Sequence, residues 1–174
     1  MGQGLLHIYY GDGKGKTTSA IGLGVRASGH NMRVLLVQFL KNSNTGEINT
    51  LKEISNFEIY IAECKKFFFQ MNKQESEDYK VLCNDIFTVA KNRCMSGEVD
   101  LVIFDEICDA LNMNILSPDN VLDFLKRRPE NLEVVFTGRK PEKQFLEMAD
   151  YVTECCMIKH PFSKGVAARK GIEM

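Results

Sequence analysis

The 174 residues hold no tryptophan, four prolines and three histidines, and no apolar run approaches a bilayer's thickness. A spanning helix needs roughly 20 consecutive apolar residues, so no membrane segment is expected. The first residues, Met1-Gly2-Gln3-Gly4-Leu5-Leu6, lack the basic segment and apolar stretch of a secretory signal. Leu6 stands where a myristoylation signal carries Ser or Thr. The chain is expected to be cytoplasmic, without a membrane partner. Neither sign of charge dominates, with 22 Lys and Arg against 23 Asp and Glu. No basic field points to nucleic acid, and no acidic tail is present. The six cysteines (64, 83, 94, 108, 155 and 156) include no CxxC pair. Their spacing argues against zinc and disulfides, and for small buried thiols. No serine or cysteine occupies a nucleophile elbow. His7, His30 and His160 lack the spacing of ligands or bases, and His7 falls inside a strand, as a structural residue would. No repeat or linker divides the chain, so residues 1–174 are read as one domain.

What is present alternates between strand and helix. Leu5–Tyr10 is a short β-prone run ending at a glycine cluster. A helical pattern runs from Lys16 to Ser28, with Ala20, Ile21, Gly24, Val25 and Ala27 on its apolar side and Gly29 as its stop. Val34–Val37 and Phe57–Ile61 read as strands. From Asn72 to Cys94, Tyr79, Leu82, Cys83, Ile86, Ala90 and Cys94 recur at spacings of three and four. Leu101–Phe104 is a strand. Ser117-Pro118 opens a helix as capping residue and first-turn proline. Val134–Phe136 is a strand, Pro141–Met148 a helix, and Tyr151-Val152 starts a last strand. Apolar strands without polar alternation, interleaved with helices, predict an α/β fold: one doubly wound, mostly parallel sheet with helices on both faces.

The sharpest chemical signal is Gly11-Asp12-Gly13-Lys14-Gly15-Lys16-Thr17-Thr18, between the first strand and the first helix. Such a loop curls backbone N–H groups around a phosphate, and the helix N-terminus adds partial positive charge. Lys16 is expected to reach the distal phosphates and Thr17 to ligate Mg²⁺. Tyr10 replaces the first glycine of the general GxxxxGK[ST] pattern, while Gly11 and Gly13 keep the backbone permissive. The second signal is Leu101–Phe104 followed by Asp105-Glu106, a strand delivering carboxylates to the sheet edge beside that loop. A magnesium ion on a triphosphate needs such oxygen ligands, and the residues leave open which of the two touches it. Glu106 is the one candidate for activating a water. Gln38 and Lys41 follow the second strand and Arg139 leaves the Val134 strand, all at the edge where ligands gather; Arg139 is the better candidate for anion contact. The tail from Met157 carries Lys159, His160, Lys164, Arg169 and Lys170, and physics alone leaves it as a frayed basic end or a lid.

Taken together these residues resemble the ATP:corrinoid adenosyltransferases of cobalamin synthesis and salvage. The resemblance rests on Gly11–Ala20 and on Val37-Gln38-Phe39-Leu40-Lys41. It continues through Gly46-Glu47, Phe104-Asp105-Glu106, Thr137-Gly138-Arg139 and Ala149–Glu154, and ends in Lys159-His160-Pro161-Phe162, Gly165 and Gly171-Ile172-Glu173. It implies a P-loop NTPase, RecA-like architecture with the tail belonging to the fold. It further implies that Co(I) of a reduced corrinoid attacks C5′ of ATP and releases triphosphate. Cobalt is then the nucleophile, and the protein positions ATP and relieves the charge of the leaving group through Lys16, Thr17, Mg²⁺ and the acidic pair, with Lys14 assisting. A homodimer and a flavoprotein-type reductant are implied as partners. Phe67 and Phe69, in the run Phe67-Phe68-Phe69, match a segment whose aromatics pack against the corrin and disfavour its lower axial ligand; a core or dimer contact is the alternative. Lys65-Lys66 beside them departs from the family pattern. So does Asp109, where an aromatic is commoner. Longer relatives also carry an extension ahead of the phosphate loop, which this chain does not show. Which corrinoid is preferred is left open: cobalamin, cobinamide or an a,c-diamide precursor.

Two other classes share the loop and the acidic strand end: an ATPase or small-molecule kinase, and a non-catalytic ATP-binding or recombinase-like module. Products separate the enzymes, ADP in one case and intact triphosphate in the other.

Overall fold

A computed structural model of the chain describes residues 2–41, 45–64 and 66–172. Lys65 and Glu173, named above, lie outside the described residues. Six strands form one sheet: β1 (Leu6–Tyr10), β2 (Val34–Lys41), β3 (Phe57–Glu63), β4 (Leu101–Asp105), β5 (Glu133–Gly138) and β6 (Tyr151–Glu154). Their order is β3-β2-β4-β5-β1-β6, and every pairing is parallel, so the expected mostly parallel sheet is wholly parallel. Six helices connect them: α1 (Lys16–Ser28), α2 (Gly46–Leu51), α3 (Lys73–Met95), α4 (Ile107–Asn112), α5 (Pro118–Arg127) and α6 (Lys143–Met148).

The two faces of the sheet pack against different helices, because successive strand side chains point to opposite sides. Leu35, Val37, Val102, Phe104, Val134 and Phe136 face the larger cluster with α3 to α6. Val34, Leu36, Leu101, Ile103 and Val135 face a smaller one with α1 and α2. Gly24 of α1 belongs to that second contact, since a Cβ there would come within 2.9 Å of the Phe57 ring. The central strands are buried on both sides, which is why their sequences read as continuous apolar runs.

Several boundaries and faces differ from expectation. Strand β2 continues to Lys41, so Gln38 and Lys41 lie within it rather than after it. Leu82 and Val25 fall on exposed faces, and Phe87 takes the buried place on α3 beside Tyr79, Cys83, Ala90 and Cys94. All six cysteines are free, and four are buried; Cys155 is half-buried and Cys156 exposed. His7 is held inside, donating through Nε2 to Glu133 Oε1 at 2.5 Å and stacking on Tyr151. Among the described residues no helix is long and apolar enough to cross a membrane.

Candidate active site

Strand β1 ends at Tyr10 and the chain turns at once through the glycine loop into α1. The turn requires glycine at two places for different reasons. Gly15 has φ +116°, a conformation other residues adopt only with strain. Gly13 lies so close to β6's exit that a Cβ would sit 2.5 Å from the Cys155 carbonyl oxygen. Its own N–H donates to that oxygen at 2.7 Å. Lys16 turns its ammonium back on the loop, donating to the Gly13 carbonyl at 2.8 Å. Lys14 reaches across to the carbonyl of Ile172 at 3.0 Å, which brings the tail over the loop.

The acidic strand end arrives from β4, and β5 stands between it and β1. The acid therefore reaches the loop diagonally rather than as an immediate neighbour. Asp105 is wholly buried and accepts four hydrogen bonds. Thr17 Oγ1 of α1 and Thr137 Oγ1 of β5 donate to Oδ1 at 2.8 and 2.7 Å. Gln38 Nε2 and Lys41 Nζ of β2 donate to Oδ2 at 3.0 and 2.5 Å. Lys41 also donates to Thr17 Oγ1 at 2.9 Å, so one ammonium spans the hydroxyl and the carboxylate.

Glu106 follows in the left-handed region, at φ 61°, uncommon for a residue with a side chain. Its N–H is satisfied by Thr137 Oγ1 at 2.8 Å. Burial first, and the charge of Asp105 second, push its carboxyl up to about 7. A left-handed glutamate beside a phosphate loop is the sort of strain that persists where function holds it.

These elements enclose a cleft of about 700 Å³. Lys14, Lys16, Lys41, Thr17 and Glu106 line it together with Asp12, Gly13, Gly15 and Thr18 of the loop, Thr45 and Glu47 at the start of α2, and His160 and Ile172 of the tail. Five expected site residues lie outside its lining, among them Asp105, which is wholly buried behind Thr17 and Lys41. Gly11 is tucked under the cleft, its N–H shared between the carbonyls of Gly138 and Arg139. Arg139 is exposed, outside the cleft lining, and is fixed through its backbone by Asp109, whose Oδ2 accepts its N–H at 2.8 Å. The departure at Asp109 thus has a structural use. Phe67 and Phe69 stand outside the cleft, 68% and 80% exposed, stacked on each other with centroids 5.4 Å apart. Phe68 between them packs inward on Tyr79, which rules out a buried core position for the outer two.

The sequence reading missed the contribution of His160 to the cleft; its signal was the Lys-His-Pro-Phe segment, not histidine spacing. Thr137 and Lys41 were visible only as residues near the right edge.

The donor set suits a divalent cation of the magnesium kind, which takes one or two carboxylates and leaves further positions to phosphate and water. A cation already sits there, the Lys41 ammonium between Thr17 and Asp105. Gln38 Oε1 is buried and meets no donor among the described residues, an acceptor available to a metal-bound water. Among the described residues no cluster of three or more His, Cys, Asp and Glu gathers into a cage of its own.

Comparison with known proteins points to one family. The family model described as ATP:corrinoid adenosyltransferase BtuR/CobO/CobP matches residues 2–174. A corrinoid adenosyltransferase of Pseudomonas aeruginosa is 35% identical over 98% of this chain and 84% of its own length. Another, from Escherichia coli K12, is 32% identical over 98% of this chain and 86% of its own. A solved structure, EssC (ATPases 2 and 3) from Geobacillus thermodenitrificans, covers 98% of this chain and 35% of its own with a TM-score of 0.48 at 10% identity, too slight a likeness to add to the assignment. With a family match along nearly its whole length and a phosphate loop closed by a buried acid, the chain belongs to the ATP:corrinoid adenosyltransferase family.

Proposed function

We propose that this chain, acting as a single domain, transfers the 5′-deoxyadenosyl group of ATP to Co(I) of a corrinoid. The cobalt electron pair forms the Co–C5′ bond as the C5′–O bond breaks. The departing oxygen keeps that bond's electrons and leaves as inorganic triphosphate, and cobalt becomes Co(III). No proton need be removed, so the protein's task is to hold ATP in line and to receive the charge of the leaving group.

The observation that carries this reading is the convergence of Lys14, Lys16 and Lys41 on one cleft at the sheet's carboxyl edge. Three ammonium groups against a polyanionic leaving group are worth most inside a partly closed site. Lys16 is the catalytic residue of this reading. The N–H groups of the loop from Gly11 to Thr18 cradle phosphate oxygens. Thr17, Asp105 and Glu106 would hold Mg²⁺, which when bound supplies further neutralisation of the triphosphate. Arg139, at the same edge, assists from outside the cleft. The exposed, stacked Phe67 and Phe69 supply an apolar surface for the corrin ring. By resemblance the protein works as a cytoplasmic homodimer, fed Co(I) by a flavoprotein-type reductant.

One observation favours a second reading. Glu106, pushed up to about 7, is suited to activating a water in a hydrolytic phosphate-loop enzyme. Anaerobic mixing of the protein with ATP, Mg²⁺ and cob(I)alamin separates the two. Light-sensitive adenosylcobalamin with stoichiometric triphosphate, abolished in Lys16→Ala, supports the transfer. ADP and phosphate with an unchanged corrinoid spectrum would overturn it.

A further inference from the structure

Lys41 should not be able to touch Asp105. Gln38 is the residue of β2 that pairs with Asp105 across the sheet. Three residues further along an unbroken strand lies about 10 Å further out and on the opposite face. Yet Lys41 Nζ and Gln38 Nε2 donate to the same oxygen of Asp105. The strand makes this possible by breaking its register between Gln38 and Lys41. Leu40, inside the break, takes φ 56°, the left-handed region that side-chain-bearing residues avoid. Its N–H donates to Tyr79 Oη at 2.7 Å, and that hydroxyl donates in turn to the Ala62 carbonyl at 3.1 Å. Tyr79 is buried in α3, so a helix on one face of the sheet fixes the bend that aims Lys41.

Resting on the reading that Thr17 and Asp105 hold a divalent cation, we propose that Lys41 is an exchangeable internal counter-ion, kept at that seat by Leu40 and Tyr79 until metal arrives with ATP. Asp105 is wholly buried, and a buried carboxylate stripped of its cation is strongly destabilising. The loop's Lys16 does not supply that cation, because its ammonium is turned to the Gly13 carbonyl. Lys41 does, at 2.5 Å from the carboxylate and 2.9 Å from the Thr17 hydroxyl. A metal ligated by those same oxygens and the ammonium repel one another, so one leaves as the other enters. Lys41 lines the cleft, and its displaced ammonium has the triphosphate to turn to. The same lysine thus suppresses metal binding before ATP is present and adds positive charge to the leaving group once it is. Lys41 is in this sense a switching ligand, with Tyr79 its positioning residue.

Mn²⁺ binding, read from the loss of the free-ion paramagnetic resonance signal, tests this in the nucleotide-free protein. Lys41→Met is expected to bind Mn²⁺ without ATP at least tenfold more tightly than wild type. Mn²⁺ should also raise its thermal midpoint well beyond the wild-type response. Tyr79→Phe keeps every charge but frees Leu40, and is expected to raise nucleotide-free Mn²⁺ affinity by a smaller factor; it also serves if Lys41→Met does not fold. Equal Mn²⁺ affinity in wild type and both variants overturns the proposal. Asp105→Asn with ATP present tests the underlying metal reading separately; ATP alone already removes the free-ion signal, so the readout is the further change in the Mn²⁺ resonance when the nucleotide-bound ion gains a protein ligand. If the variant loses that change while Lys41→Met and Tyr79→Phe alter nothing without ATP, the counter-ion alone is overturned. If it keeps the change, the metal reading falls and the proposal with it.

Discussion

At the residue scale the site is governed by two adjacent carboxylates treated in opposite ways. Asp105 has four donors, one of them cationic, whereas Glu106 has burial and a neighbouring negative charge and is pushed up to about 7 from its ordinary 4.5. In nucleotide-free protein kept in chelator, the folded state therefore holds a proton on Glu106 that the unfolded chain has released. That contribution to stability is complete below the unfolded value and is lost as pH rises from about 4.5 through about 7, at about 1.4 kcal/mol per pH unit of separation. Thermal midpoints across that window should fall in wild type and stay flatter in Glu106→Gln; parallel curves would contradict the account. A second prediction concerns the loop. Gly13→Ala brings a methyl against the backbone carbonyl of Cys155, which cannot rotate away as a side chain would. The variant should lose the ATP-dependent rise in thermal midpoint, and an unchanged rise would show that the loop has room there. Identities such as Lys16, Thr17 and Asp105 were legible because the phosphate loop and the apolar strand ending in acid are local patterns. The reach of Lys41 was not, since it depends on a left-handed leucine and a tyrosine 38 positions further along the chain (79 minus 41).

At the element scale, strands and long helices announced themselves through continuous apolar runs and three-and-four spacing. Of the three six-residue helices, α2 and α4 did not, being too short to repeat a period, whereas α6 falls inside the expected Pro141–Met148 helix. The front of α3 shows how a local rule carries a remote feature. Asn72 accepts the Glu75 N–H at 3.0 Å, the Glu75 carboxylate accepts the Asn72 N–H at 2.8 Å, and Lys66 pairs with Glu75 at 2.6 Å. The same pairing and the Asn72 N–H hold Glu75 below its ordinary carboxylate range. Asn72→Ala should cost about 1 kcal/mol in denaturant unfolding, with ATP affinity unchanged. Just ahead of this cap, Phe67 and Phe69 point outward while Phe68 points inward, an alternation that three identical letters could not disclose. Phe67→Ala with Phe69→Ala should raise KM for the corrinoid several-fold and leave KM for ATP alone. A rise in the ATP value instead would assign the pair to the nucleotide.

At the scale of the whole molecule, strand order was the part the sequence could not give, because each apolar run is compatible with any interior position. The order β3-β2-β4-β5-β1-β6 sets β5 between the loop strand and the acid strand, and Thr137 bridges that gap by donating to Asp105 while accepting from Glu106. It also puts β6 beside β1, so the chain after Glu154 passes back over the phosphate loop. The resemblance had assigned the tail to the fold, and the bonds from Gly13 to Cys155 and from Lys14 to Ile172 are how it is attached. Attachment is not burial, however. No described residue beyond Cys156 belongs to the hydrophobic core, while His160, Gly171 and Ile172 line the cleft. Stability and nucleotide binding should therefore separate when the chain is stopped after Cys156. Losing no buried group among the described residues, the truncated protein should unfold within about 0.5 kcal/mol of wild type, a shift of roughly 2 °C. Its affinity for ATP, measured by calorimetry, should fall at least tenfold, or about 1.4 kcal/mol, because one wall of the cleft and the anchor of Lys14 are gone. Unchanged affinity would mean the tail lies over the loop without touching the nucleotide; a cooperative loss of fold would mean that the segment beyond Cys156, anchored to Lys14 through Ile172, holds more of the sheet edge than its exposure implies.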